Sequence, residues 1–93
     1  MDLIAGQSTD FITDTIKEIQ KFPMMSPGEM IKLLRKQRRL SQIELAALTG
    51  ITQANISALE KNRIQLGKER SIALAEALNV HPALILFADY RVF

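Results

Sequence analysis

The residues in this chain best suited to specific recognition stand close together: Gln53, Ala54, Asn55 and, one helical turn beyond Gln53, Ser57. A glutamine amide carries an acceptor and a donor side by side, which matches the adenine edge in the major groove of DNA. Asparagine can make the same pair of bonds, a serine hydroxyl can reach a base or a phosphate, and an alanine methyl can touch a thymine methyl or simply let a helix approach closely. All four lie in SQIELAALTGITQANISALE, residues 41–60. This stretch reads as two short helices joined by a tight turn, with polar tips on the second. That is the layout of a helix-turn-helix, whose second helix enters the major groove. Exposed polar residues on a helix are also the mark of an ordinary solvated face, and residue type alone leaves both readings open.

The neighbouring elements must hold that pair in place. Ser41 and Glu44 have capping-box spacing, and they start a helix predicted to run to about Leu48 with Leu45, Ala46 and Leu48 inward. Gly50 supplies the positive φ of a sharp turn, Ile51 plugs that turn, and Thr52 caps the second helix over Ile56 and Leu59. Upstream, Ser26, Pro27 and Glu29 make another capping box, and Met30, Ile31, Leu34 and the stem of Arg38 are expected on or beside the buried face. Downstream, Lys61 to Gly67 reads as a loop in which Asn62 best tolerates a left-handed backbone. A helix with Ile72, Leu74, Ala75 and Leu78 follows, then a short one begun by His81 and Pro82 and carrying Leu84, Ile85, Leu86 and Phe87. Before all these, Ile12, Ile16 and Ile19, with Phe11, Thr15 and Phe22 on a neighbouring stripe, predict one more amphipathic helix over 8–22, ended by Pro23. The reading is all-α: five core helices and an added N-terminal helix. Residues 1–25 form the extension, 26–88 the domain and 89–93 a tail.

Composition narrows the chemistry. The chain has 93 residues and no cysteine, so disulfides, thiolate metal sites and cysteine nucleophiles are excluded. His81 is the sole histidine, and its place before Pro82 favours a helix cap over a metal ligand. Asp10 and Asp14 lie one turn apart, and a solvated acidic face explains them better than a metal site. No nucleophile, base and orienter can be assembled, so neither an enzyme nor a cofactor is expected. No signal peptide and no membrane-spanning run is visible, so a cytoplasmic protein without a membrane partner is expected. The net charge is +2, unevenly spread. Residues 1–25 hold two lysines against four acids, 26–70 nine bases against four acids, and 71–93 one base against two acids. A balance of +5 thus surrounds the recognition segment, as phosphate binding requires. A basic solvated face would give the same count.

The ordered set Ile31-x-x-Leu34-Arg35, Leu40-Ser41-Gln42, Glu44-Leu45-Ala46, Gly50-Ile51-Thr52-Gln53, Ile56-Ser57, Leu59-Glu60 and Leu74-Ala75-x-Ala77-Leu78-x-Val80 goes further. Across 31–80 it resembles the lambda-repressor/Cro-like helix-turn-helix domain, the XRE family. A generic helical bundle would need the apolar positions but not Ser-Gln at one helix start and Thr-Gln at the next. The resemblance implies a five-helix lambda-repressor-like bundle and a transcriptional repressor that binds double-stranded DNA as a homodimer on inverted repeats. It implies base contacts from Gln53, Ala54, Asn55 and Ser57. It also implies that Gln42 anchors a phosphate and buttresses Gln53, with Arg38, Arg39, Lys61, Asn62 and Arg63 as further phosphate contacts. Arg35 and Glu60 are implied to form a structural ion pair between the first core helix and the end of the recognition helix.

Two departures are visible, since the family often has glycine where Arg39 and Asn62 stand. The 8–22 helix lies outside the minimal domain, and a short regulator with such an addition resembles antitoxins of the HigA type, whose partner is a toxin protein. Packing of Ile12, Ile16 and Ile19 back onto the domain is the simpler account. The apolar end, Leu84 to Phe93, is expected to meet a second copy. A protein-interaction module that keeps the fold without reading DNA is the alternative from another class.

Overall fold

The computed structural model describes residues 24–90, and these hold five α-helices: α1 Pro27–Gln37, α2 Gln42–Thr49, α3 Gln53–Glu60, α4 Lys68–Leu78 and α5 Pro82–Leu86. The expected all-α, five-helix architecture is therefore the observed one. The expected helix over 8–22 and the end of the tail at 91–93 lie outside the described residues.

Local chemistry starts each helix. Ser26 accepts from the Glu29 amide at 3.2 Å while the Glu29 carboxylate accepts from the Ser26 amide at 3.0 Å. Ser41 and Glu44 repeat the exchange at 3.0 and 2.9 Å. Thr52 caps α3 through the Asn55 amide, and the Nδ1 of His81 caps α5 through the Ala83 amide. These bonds satisfy backbone N–H groups that a helix start leaves without partners. In both capping boxes the backbone bond, then the serine hydroxyl, holds the glutamate pKa below its ordinary value, against a small opposing effect of desolvation.

Three helices end alike. Arg39, Asn62 and Asn79 take left-handed backbones, with φ of 56°, 57° and 56°. The next residue's amide then reaches five residues back: Leu40 to the Arg35 carbonyl, Arg63 to Ala58 and Val80 to Ala75, at 3.1, 2.9 and 3.0 Å. This closes the last turn in the Schellman manner, a task usually given to glycine. Asparagine tolerates it, whereas Arg39 adopts it against the preference of its side chain. Only α2 ends on a glycine, Gly50 at φ 75°.

The core gathers one row from every helix. Met30, Ile31 and Leu34 come from α1, Leu45 from α2, Ile56 and Leu59 from α3, Leu74, Ala75 and Leu78 from α4, and Leu84 and Ile85 from α5, with Ala88 beyond it. Each fully buried large aliphatic side chain stabilises the fold by roughly 1.5–3 kcal/mol. α1 packs on α3, α4 and α5, while α4 supports α2 from behind. α2 and α3 therefore rest on a three-helix base. Where α1 crosses α3 the backbones almost touch: a Cβ on Gly28 would run into the Leu59 carbonyl and come within 2.6 Å of Asn62 Oδ1 and 2.8 Å of the Glu60 carbonyl. Glycine is required there by space.

Four expectations about apolar faces need correction. Leu48 is 61% exposed, because α2 is apolar on nearly every side and only Leu45 points fully inward. Arg38 is exposed, its guanidinium bonding to the Leu34 carbonyl at 3.3 Å rather than laying its stem on the core. Ile72 is 39% exposed, and the buried row of α4 runs through Ser71 instead. Ser71 can enter the core because its hydroxyl donates to the Lys68 carbonyl at 2.6 Å. Leu84 and Ile85 belong to the core, so the apolar surface at this end is limited among the described residues to Phe87 and Tyr90, with Leu86 half-buried.

Candidate nucleic-acid interface

The turn between α2 and α3 is tight because Gly50 turns left-handed and Thr49 bridges it. The Thr49 hydroxyl donates to the Leu45 carbonyl at 2.8 Å and accepts from the Ile51 amide at 3.2 Å. α3 thereby exposes Gln53 and Ala54 at its N-terminus, with Asn55 and Ser57 partly covered. Ile56, Leu59 and Glu60 face inward.

Behind Gln53 stands a polar chain that reaches the core. Gln53 Nε2 donates to Gln42 Oε1 at 3.2 Å, and Gln42 Nε2 donates to Glu60 Oε1 at 3.1 Å. Glu60 is held by Arg35, whose Nε donates to Oε2 at 2.6 Å and Nη2 to Oε1 at 3.0 Å. Arg35 Nη1 also donates to the Leu40 carbonyl at 2.9 Å, so one guanidinium ties α1 to α3 and to the α1–α2 corner. The two side chains are 9% and 3% exposed. Such a pair is stable only with its donors and acceptors satisfied, and no described buried side-chain nitrogen or oxygen lacks a partner. The Glu60 hydrogen bond first, and its charge second, raise the Arg35 pKa further above its ordinary value, against desolvation.

Arg38, Arg39, Lys61 and Arg63 are exposed at the corners after α1 and α3. Asn62, exposed at the same corner as Lys61 and Arg63, also has a task within the fold. Its Oδ1 accepts from the Gly28 amide at 3.1 Å and its Nδ2 donates to the Ser26 hydroxyl at 2.8 Å, clasping the start of α1 to the end of α3. Sequence reasoning missed this clasp and the Gln42–Glu60 bond. The clasp had a signal, a glycine directly after Pro27 in a helix that has no local use for one. The Gln42–Glu60 bond had none, since the two residues are 18 apart and each has another evident partner.

The helix-turn-helix family profile matches residues 31–85, more than half of the chain. The chain belongs to this family. The resemblance to the lambda-repressor/Cro-like, XRE-type domain is thus borne out. Among helix-turn-helix relatives, the HTH-type transcriptional repressor RghR of Bacillus subtilis (strain 168) is 36% identical over 69 residues, covering 72% of this chain and 51% of RghR. The immunity repressor protein of Bacillus phage phi105 is 29% identical over 62 residues, covering 67% of this chain and 43% of that protein. The chain spans about half the length of these relatives. A crystal structure of the P22 c2 repressor protein in complex with synthetic operator 9T, in the presence of Tl+, superposes with a TM-score of 0.66 at 29% identity. That match covers 70% of this helix-turn-helix chain and 98% of the c2 chain. Among the described residues, no helix is long and apolar enough to cross a membrane.

Proposed function

We propose that the chain is a sequence-specific, double-stranded DNA-binding transcriptional repressor, acting in the cytoplasm and placing α3 in the major groove. The observation that carries this reading is the brace behind Gln53: an exposed amide at the start of α3, held by Gln42 on a buried ion pair. A solvated glutamine has no need of such support, whereas an amide that must meet a base edge gains from being held in place. Gln53 contacts a base, with Ala54, Asn55 and Ser57 as its neighbours on the groove. Arg38, Arg39, Lys61, Asn62 and Arg63 contact phosphates, as does Gln42 through the second hydrogen of its NH2, and they supply affinity rather than sequence choice. The repressor relatives, one of them solved on operator DNA, support the same reading and a binding role rather than catalysis.

The repressor binds as a two-fold dimer to an inverted repeat, with half-site centres about 34 Å apart. Phe87 and Tyr90, in edge-to-face contact at 6.0 Å and each about half exposed, support a second copy docking at the α5 end.

The test is a titration of the 93-residue chain with random duplex at 50 and 200 mM salt, followed by selection of bound sequences. Affinity should drop roughly a thousandfold or more between the two salts, because a dimer engages several phosphates per copy. The selected pool should contain an inverted repeat. No binding at low salt would overturn the reading and leave a protein-interaction module in its place.

A further inference from the structure

We infer that Glu60 dictates which way round the Gln53 amide faces, and so makes adenine rather than guanine the base that Gln53 accepts. Glu60 is then a positioning residue for base choice that never touches DNA. The inference rests on the proposal that α3 meets the groove.

The argument follows donors and acceptors outward from the core. A carboxylate only accepts. Glu60 Oε1 takes a bond from Arg35 at 3.0 Å and another from Gln42 at 3.1 Å. Gln42 must therefore turn its NH2 inward and its carbonyl outward. Gln53 has to meet that outward carbonyl with its own NH2, at 3.2 Å. It keeps an oxygen acceptor and one remaining N–H to offer the groove. Adenine presents an N6 donor and an N7 acceptor, which complement that pair, whereas guanine presents two acceptors, O6 and N7. Two amides in series, each able to turn over when free, are thus set by one charge that cannot change sides. The charge itself is fixed, with Glu60 6% exposed and gripped by two nitrogens of Arg35. A glutamine at position 60 that keeps its oxygen on Arg35 Nε, the shorter of the two bonds, would undo the order: its NH2 would stand in the place of Oε1, Arg35 Nη2 would lose that acceptor, and Gln42 and Gln53 would both turn round to meet the NH2. Gln53 would then offer two N–H groups, the complement of guanine.

The experiment compares wild type with Glu60→Gln on duplexes selected by wild type. The base beneath Gln53 is the position whose preference disappears in Gln53→Ala. There, wild type should favour adenine over guanine by roughly 5- to 150-fold. In Glu60→Gln the ratio should fall to near one or below, while the lost negative charge moves the affinity for both duplexes by the same factor. A merely structural role would weaken both duplexes by the same factor, so an unaltered ratio overturns the inference. Should Glu60→Gln fail to fold, Gln42→Met keeps the ion pair and should lose the ratio likewise; a ratio that survives there also overturns it. In DNA-free wild type, nuclear Overhauser contacts should run from the Gln42 side-chain NH2 to the Glu60 methylene protons, and contacts to Gln53 instead would refute the amide order. If wild type binds no duplex, the DNA reading fails and base choice with it, while the amide order is still decided by the NMR contacts.

Discussion

At the scale of single residues, Arg35 and Arg39 show how similar side chains carry opposite energetic signs. Arg35 makes bonds to Glu60 and Leu40 from a nearly buried position. Arg35→Ala leaves a carboxylate with 3% exposure without its counter-charge, and such a change costs about 3–5 kcal/mol. Thermal denaturation should show a melting temperature lower by roughly 12 °C or more; a wild-type melting curve would rule the pairing out as a stabilising element. Arg39, fully on the surface at φ 56°, holds a conformation that suits glycine. Arg39→Gly should therefore stabilise the fold by roughly 0.5–1 kcal/mol, by urea denaturation, because relief of the left-handed backbone outweighs the added freedom of the unfolded chain. On DNA the same variant should bind random duplex more weakly, with a salt slope smaller by about 1.

At the scale of the helix, start signals prove more legible than buried faces. Ser26, Glu29, Ser41, Glu44 and Thr52 form the caps their spacing predicts, because a cap is local and needs only neighbours three residues away. Leu48 and Ile72 were not legible. α2 carries Ile43, Leu45, Ala46, Ala47 and Leu48 around its circumference, so periodicity cannot choose a face, and only the position of α4 behind it decides. Ser71 hides from a pattern search because its polar atom is satisfied within its own helix. In the candidate site the residue types on α3 were readable, whereas the Gln42–Glu60 link and the Asn62 clasp depend on how helices cross. The caps also carry a pH signature. Glu29 and Glu44 have folded pKa values below their unfolded ones, so the unfolded chain binds protons first on acidification. Their stabilisation is fully present above the ordinary glutamate value of 4.5 and is lost as pH falls through the lowered folded values. A Glu29→Gln, Glu44→Gln double variant keeps the capping geometry and should lose stability less steeply between neutral pH and pH ~3, in urea titrations at each pH.

At the scale of the whole molecule, the balance of +5 falls over residues 26–70, which include α2 and α3, and exposed apolar side chains stand both on α2, at Ile43 and Leu48, and beyond α5, in the aromatic pair. On the proposed reading, α3 meets DNA and the aromatic pair meets a second copy. Phe87→Ser with Tyr90→Ser should raise the dimer dissociation constant roughly tenfold or more in sedimentation equilibrium. An unchanged dimer would move the interface elsewhere. The three left-handed corners at Arg39, Asn62 and Asn79 have a further consequence for motion. At each, the amide of Leu40, Arg63 or Val80 makes the outermost closing bond, five residues back. Such an amide exchanges its hydrogen with solvent only when that corner opens. The fold thus contains three separate timers of local opening, two of them at the ends of α1 and α3, beside the proposed phosphate contacts, and the third at the end of α4. Protection at Leu40 and Arg63 gained on ligand binding, with Val80 unmoved, would locate a ligand at those two corners without a structure of the complex.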